Sequence, residues 1–289
     1  MLRNKSYKEA LIFGESFLKD LNIISLKLDV RLILSKILNK SQIKIIYEKK
    51  NFLDSKKKKK FLKSIYQRKT GKPVSRILGE REFFSRSFFI DKNTLDPRSD
   101  SECLVEVVLK KVSEKKFKKI NILDIGTGSG CLIISLLLEL NKNKNLEVKG
   151  TGVDFSKEAL RISKRNMKKF FLDNKLTLLH SNWFDKIKDK FDIIITNPPY
   201  IESSKINELS NEVKLFDPII SIDGGIDGLK CYEEIAKKAY FFLKPNGLFI
   251  TEIGSKQKNQ VKNIFVEKKL KFVSIRKDLS NNDRCLVFS

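Results

Sequence analysis

The sequence predicts an α/β chain, a seven-stranded and mostly parallel sheet covered on both faces, preceded by a small helical region. Three observations carry this. From residue 120 onward short apolar runs alternate with amphipathic stretches, as repeated strand and helix units require. Before residue 70 the apolar residues recur at helical spacing. Between the two lie short aromatic runs around a polar turn.

The elements follow in order. From Ser6 to Arg68, Ala10, Leu11, Phe13 and Leu18 and then Leu28, Val30, Leu32, Ile33, Ile37 and Leu38 define one face of successive helices. This predicts a helical domain over 1–70. From Pro73 to Leu95, VSRILG and then EFFSRSFFID around a turn at Ser85 to Ser87 read as extended pieces, a β-hairpin linker over 71–95. The third domain, 96–289, holds strands at Ile120 to Ile125, Val148 to Asp154, Leu176 to His180, Phe191 to Thr196, Gly247 to Ile253, Lys271 to Arg276 and Cys285 to Phe288. Helices are expected near Gly130 to Leu140, Lys157 to Phe171, Leu229 to Phe242 and Lys256 to Val266. Lys277 to Arg284 is too short for a helical crossover, so the last two strands should pair antiparallel.

At 289 residues the chain can bury a full α/β domain and a smaller one without covalent staples. Cys103, Cys131, Cys231 and Cys285 stand far apart and His180 is the one histidine, so neither a zinc site nor a redox pair is expected. The thiols read as reduced, in a cytoplasmic protein. The first twenty residues mix charges into their apolar positions, unlike a signal peptide. The most apolar run, Cys131 to Leu138, is far short of the roughly 20 residues that span a bilayer, so no membrane partner is expected. The net charge of +24 points to RNA or the ribosome nearby. The excess of lysine alongside Ile, Asn and Phe is equally the mark of an AT-rich genome, and Lys56 to Lys60 reads as the solvated face of a helix.

Chemistry begins at NILDIGTGSG, Asn121 to Gly130, where an apolar strand ends in a glycine-rich turn that opens a helix. Gly126, Gly128 and Gly130 let backbone approach a ligand closely. The next strand ends in Asp154, whose carboxylate can accept from both ribose hydroxyls of an adenosine, or merely cap the helix near Ser156. These features do not separate NAD from S-adenosylmethionine. Trp183, in SNWFD after the third strand, can lie against an adenine ring or simply fill core.

The decisive segment is FDIIITNPPY, Phe191 to Tyr200. Two prolines cannot continue a central strand, and each pushes its predecessor out of the helical region, so the segment is stiff and extended. The Asn197 side-chain oxygen and the Pro198 carbonyl can then act as two acceptors for an NH2 group. Holding both N–H donors orients a planar nitrogen for in-line attack on a sulfonium methyl, with no strong base. Tyr200 can cover the planar group and favour the charge moving toward nitrogen.

With these residues the sequence resembles the HemK/PrmC family, the release-factor glutamine methyltransferases. The matching blocks run from about Lys72 to the C-terminus: PVSRILGEREFF, LDIGTGSG, GVDFS, NPPYI, IDGGIDGL, FLKPNGLFITEIG and KDLSNNDRCLVF. The resemblance implies a Rossmann-like seven-stranded S-adenosylmethionine methyltransferase domain. It implies a cofactor site formed by Asp124, Gly126, Thr127, Gly128, Ser129, Gly130, Asp154, Trp183 and Asn197, with no metal. Asn197, Pro198, Pro199 and Tyr200 would hold a glutamine of the GGQ motif of a peptide chain release factor, Asn197, Pro198 and Tyr200 acting in catalysis and S-adenosyl-L-homocysteine leaving as product. The family usually reads LIPRPETE where this chain reads LDPRSDSE, Leu95 to Glu102, keeping Pro97, Arg98 and Glu102. Methylation of a ribosomal-protein glutamine, or of adenine or guanine amines on an extruded base, remains open at this point.

Overall fold

The computed structural model describes residues 6–21, 25–115 and 117–289. The chain divides into two compact units, one running to Glu80 and including Ser210–Phe216, the other comprising Arg81–Leu209 and Asp217–Ser289.

The first unit is helical. Helices α1 (Tyr7–Leu18), α2 (Leu26–Leu38), α3 (Gln42–Tyr47) and α4 (Ser55–Lys69) each turn an apolar stripe onto one core of Ala10, Leu18, Val30, Ile33, Leu34, Phe61 and Ile65. Ser6 caps α1 in a reciprocal capping box with Glu9, and Asp54 caps α4 by accepting from Lys57 N at 2.7 Å. Inside this unit the buried Arg68 meets Asp29 at 2.8 Å. The piece VSRILG is not extended: α5 (Val74–Leu78) is a helix. Pro73 sets its entry, Gly79 ends it in a left-handed cap at φ 69°, and Val74, Ile77 and Leu78 pack on the helical core. Burial against a neighbouring element decided a run too short to declare its own period.

The hairpin forms from β1 (Glu80–Phe83) and β2 (Arg86–Phe89), with its turn earlier than expected. Phe84 and Ser85 both take left-handed conformations, φ 48° and 58°, the two-residue turn whose twist matches that of paired strands. Arg86 and Ser87 therefore belong to β2 rather than to the turn.

The second unit is the α/β sheet. Its strands are β3 (Lys119–Ile125), β4 (Glu147–Asp154), β5 (Leu176–His180), β6 (Phe191–Thr196), β7 (Leu243–Glu252), β8 (Phe272–Lys277) and β9 (Asp283–Phe288). They lie in the order β5-β4-β3-β6-β7-β9-β8. All neighbours are parallel except β7 with β9 and β9 with β8. Helices α6 (Glu102–Lys115), α7 (Cys131–Leu140), α8 (Lys157–Lys169), α10 (Lys230–Ala239) and α11 (Lys258–Glu267) cover it, and α9 (Asn211–Phe216) belongs to the other unit. Sequence reasoning missed α6, although Leu104, Val105, Val108 and Val112 mark its buried face. One core, with Val108, Ile133 and Leu137, fills one face of the sheet, and a second, with Tyr232, Ile235 and Phe265, fills the other.

From β3 the chain winds outward through β4 and β5, then returns to β6 on the other side of β3. That reversal opens a crevice beyond the carboxyl ends of β3 and β6, where ligands of open α/β sheets bind.

Candidate active site

A cavity of about 520 Å³ occupies that crevice. Of the residues singled out from sequence it brings together Gly126, Gly128, Asp154, Trp183, Asn197 and Pro199. Asp124, Thr127, Ser129, Gly130, Pro198 and Tyr200 do not line it.

One end is built on the loop after β3. Gly126, Gly128 and Gly130 all have positive φ, 73°, 55° and 80°, which side-chain-bearing residues adopt only under strain. A Cβ on Gly126 would meet nothing within 4 Å, so its bare backbone faces open cavity. The loop is tied to β4, with the N–H groups of Gly126 and Thr127 both donating to the Val153 carbonyl at 2.9 Å. Asp154 closes β4, accepting from Gly128 N and Ser156 N, each at 2.8 Å. Burial raises its carboxyl, and those two N–H groups oppose the rise. The cap of α8 is Ser156, which accepts from Ala159 N at 3.1 Å.

Beneath the loop Asp124 is fully buried and accepts from the Thr127 hydroxyl at 2.7 Å. Burial pushes its carboxyl up to about 7. Its contact is with the loop, which it braces. Trp183, in a left-handed conformation at φ 46°, lines the cavity, as does Phe155. A bare glycine backbone, a carboxylate and two aromatic rings around one hollow fit an adenosine-bearing cofactor.

The other end is the corner after β6. The Asn197 Nδ2 donates to Ser101 Oγ at 3.0 Å, so Oδ1 is the end of the amide left for a ligand. The Tyr200 hydroxyl donates at 3.3 Å to Glu252, the last residue of β7. Burial, with the Glu252 charge adding to it, raises the Tyr200 phenol, and burial pushes the Glu252 carboxyl up to about 7.

The chain after the corner is clamped. Ile201 bridges Asp223, with Ile201 N donating to the Ile222 carbonyl at 3.0 Å and Gly224 N to the Ile201 carbonyl at 2.8 Å. Gly228 sits at φ 74°, and a Cβ there would lie 2.5 Å from the Tyr200 carbonyl oxygen. Gln257 Nε2 donates to that same oxygen at 3.1 Å and to the Gly228 carbonyl at 3.2 Å.

The departing linker takes part as well. Arg98 pairs with Asp217, and Asp100 lies 3.3 Å from Arg284, which also meets Asp278 at 2.9 Å. Ser101 keeps a hydroxyl where LIPRPETE has threonine, and Glu102 accepts from Phe84 N at 2.8 Å. Sequence reasoning assigned no role to Ser101, Glu252, Gln257 or Gly228. Gly228 lies in one of the family-like blocks, IDGGIDGL, whose repeated glycines were its available signal. Among the described residues no cluster of His, Cys, Asp and Glu could hold a metal ion, and no helix is long and apolar enough to cross a membrane.

The fold and this crevice define the class, a Rossmann-like methyltransferase domain, and a family model described as a methyltransferase domain matches residues 116–286. A second model, the PrmC N-terminal domain, matches residues 9–79. A release factor glutamine methyltransferase of Clostridium acetobutylicum is 34% identical, over 97% of both chains. One of Agrobacterium fabrum is 40% identical over 78% of this chain and 76% of its own. A bifunctional methyltransferase of Rickettsia conorii is 37% identical over 98% of this chain, which spans only 58% of that relative's length. The chain belongs to the release factor glutamine methyltransferase family.

Proposed function

We propose that the protein transfers a methyl group from S-adenosyl-L-methionine to the side-chain amide nitrogen of the glutamine in the GGQ motif of peptide chain release factors, S-adenosyl-L-homocysteine being the other product. The observation that carries this reading is the Asn197 corner. It opens onto the same cavity as the glycine loop and Asp154, and its amide oxygen is left unclaimed by Ser101.

Gly126, Gly128, Asp154 and Trp183 hold the cofactor from the cavity wall, with Asp124 and Thr127 bracing the loop that Ser129 and Gly130 complete. When bound, the cofactor supplies an electrophilic methyl on a sulfonium. Asn197 Oδ1, on the cavity wall, accepts one N–H of the glutamine amide and turns its nitrogen toward the methyl, and the carbonyl of Pro198, which lies just outside the lining between Asn197 and Pro199, is the second acceptor of this reading. Pro199 and Tyr200 fix the corner's shape, Tyr200 through its hydroxyl bond to Glu252. The nitrogen keeps the methyl and one proton, and the other proton leaves to solvent. Positioning of this kind supplies up to roughly 7–11 kcal/mol in the best intramolecular cases.

Release factors work on the ribosome in the cytoplasm, and a net charge of +24 suits a place beside RNA. The same charge favours a second reading, methylation of an exocyclic amine on a base, for which the two acceptors would serve equally. Intact-mass measurement of release factors incubated with enzyme and cofactor decides between them. One added methyl group on the GGQ glutamine is the expected result. No change there, with salt-sensitive turnover on an oligonucleotide, would move the assignment to nucleic acid.

A further inference from the structure

Asn166 is fully buried in the interior of α8, although asparagine is a poor helix former and is seldom buried. Its amide explains its place. Oδ1 accepts from Phe89 N at 2.7 Å, and Nδ2 donates to the Phe89 carbonyl at 2.9 Å and to the Ser129 carbonyl at 2.8 Å. Toward Phe89, the last residue of β2, the side chain offers the donor and acceptor of a peptide group, as a neighbouring strand would. Toward Ser129 it holds the glycine loop, against which α8 lies close: a Cβ on Gly130 would be 2.6 Å from Ser163 Oγ. Both bonded segments run into the cavity wall. Gly126 and Gly128 line it just before Ser129, and Asn93, Thr94 and Leu95 line it just after Phe89. A turn fixes that second approach, with the Asp91 carboxylate accepting from Asn93 N at 2.8 Å and Nδ2 at 3.0 Å, and the Asp91 carbonyl from Thr94 N at 3.3 Å.

We infer that Asn166 is a positioning residue for the cofactor: one amide sets the glycine loop and the segment 93–95 at a fixed spacing, so the cavity is shaped before a ligand enters. The inference rests on the reading of this end of the cavity as the cofactor site. Two carbonyls need two N–H donors and Phe89 N needs an acceptor, and among side chains of this length only the asparagine amide supplies all three. Asn166→Asp keeps the shape and the acceptor but loses both donors. A carboxylate oxygen then faces the Phe89 and Ser129 carbonyls, and loop and segment part. Asn166→Ala leaves all three backbone groups unpaired.

Two measurements test this, and neither needs a release factor. In the first, calorimetry with S-adenosyl-L-homocysteine compares wild type, Asn166→Asp, Asn166→Ala and Val108→Ala. Val108 is buried on α6, and its truncation supplies a loss of melting temperature without touching either wall. Kd is expected to rise about tenfold or more in both Asn166 variants and to stay within about threefold of wild type in Val108→Ala. In the second, backbone amide exchange is followed by nuclear magnetic resonance in wild type without cofactor. The amides of Phe89 and Gly128, joined through Asn166, should open as one unit, with protection within about threefold of each other. A Kd within about threefold of wild type in either Asn166 variant that folds, or protection at Phe89 and Gly128 more than about tenfold apart, overturns the inference. Should neither variant fold, the exchange measurement decides. Wild-type protein that does not bind S-adenosyl-L-homocysteine fails the cofactor reading instead, and the exchange measurement then decides the inference alone.

Discussion

The two ends of the cavity are held in different ways. At the cofactor end, Gly126, Gly128 and Asp154 are fixed by one loop and the adjoining strand end, largely through backbone N–H groups. At the acceptor end, Asn197 and Tyr200 are fixed by Ser101, Glu252 and Gln257, between 52 and 96 positions away in the chain. Binding a large cofactor needs a bare, closely approaching backbone. Orienting one nitrogen needs a rigid corner, and rigidity here comes from elements that meet only in the folded sheet.

Breaking each end should therefore damage a different quantity. The largest expected effect is that of Asn197→Ala, a loss of about 100- to 1,000-fold in kcat, the usual cost of removing one placed polar group from a site. Cofactor affinity, read by calorimetry, should change far less. Asp154→Ala should do the reverse, weakening cofactor binding by about 10- to 100-fold, the worth of hydrogen bonds to a charged group. Steady-state kinetics should put that loss on the cofactor KM more than on kcat.

A pair of glycines sharpens the contrast. Gly126 and Gly228 have nearly the same φ, 73° and 74°, so alanine at either brings a similar backbone strain of about 1–2 kcal/mol. The Cβ at 126 enters open cavity, whereas the Cβ at 228 collides with the Tyr200 carbonyl oxygen. Gly126→Ala should lose cofactor affinity with little further loss of stability. Gly228→Ala should melt several degrees lower and turn over more slowly, because the corner must shift to admit the methyl group.

A further expected effect is one of stability and pH. Burial raises the Glu252 carboxyl from its ordinary 4.5 to about 7. A raised acid favours the folded state at low pH. That contribution is complete below about 4.5 and is lost as pH rises through about 7. Glu252→Gln removes the titration, so its melting temperature relative to wild type should climb with pH across that window. The size is about 2–4 kcal/mol at most, because each tenfold change in proton affinity is worth roughly 1.4 kcal/mol. A less active but more stable variant at pH 8 would identify Glu252 as a residue kept for the corner. A difference in melting temperature that is flat with pH would remove that interpretation.

The same contrast explains what the sequence disclosed. NILDIGTGSG and GVDFS are contiguous, and their glycine turn and strand-end aspartate can be read because strand, loop and helix follow one another along the chain. NPPY was legible for the same reason, since two prolines at a strand end stiffen their own neighbours. Ser101 and Glu252 lie in family-like segments, LDPRSDSE and FLKPNGLFITEIG, but no local pattern there says what either side chain meets. Ser101 opens onto a helix that the sequence did not declare, and Glu252 is one more residue at the end of a β-rich run. The helix Val74–Leu78 was missed because five residues are too few to show a period, and its packing decides it. The turn at Phe84 and Ser85 was misplaced because an aromatic residue in a left-handed conformation is rare and has no sequence signature.

The central claim is geometric and can be seen directly. A crystal structure with S-adenosyl-L-homocysteine and a peptide carrying Gly-Gly-Gln should place the glutamine NH2 within hydrogen-bond distance of both Asn197 Oδ1 and the Pro198 carbonyl, with its nitrogen facing the sulfur. Asn197 turned with Nδ2 toward the peptide, or a glutamine lodged elsewhere in the cavity, would contradict the account.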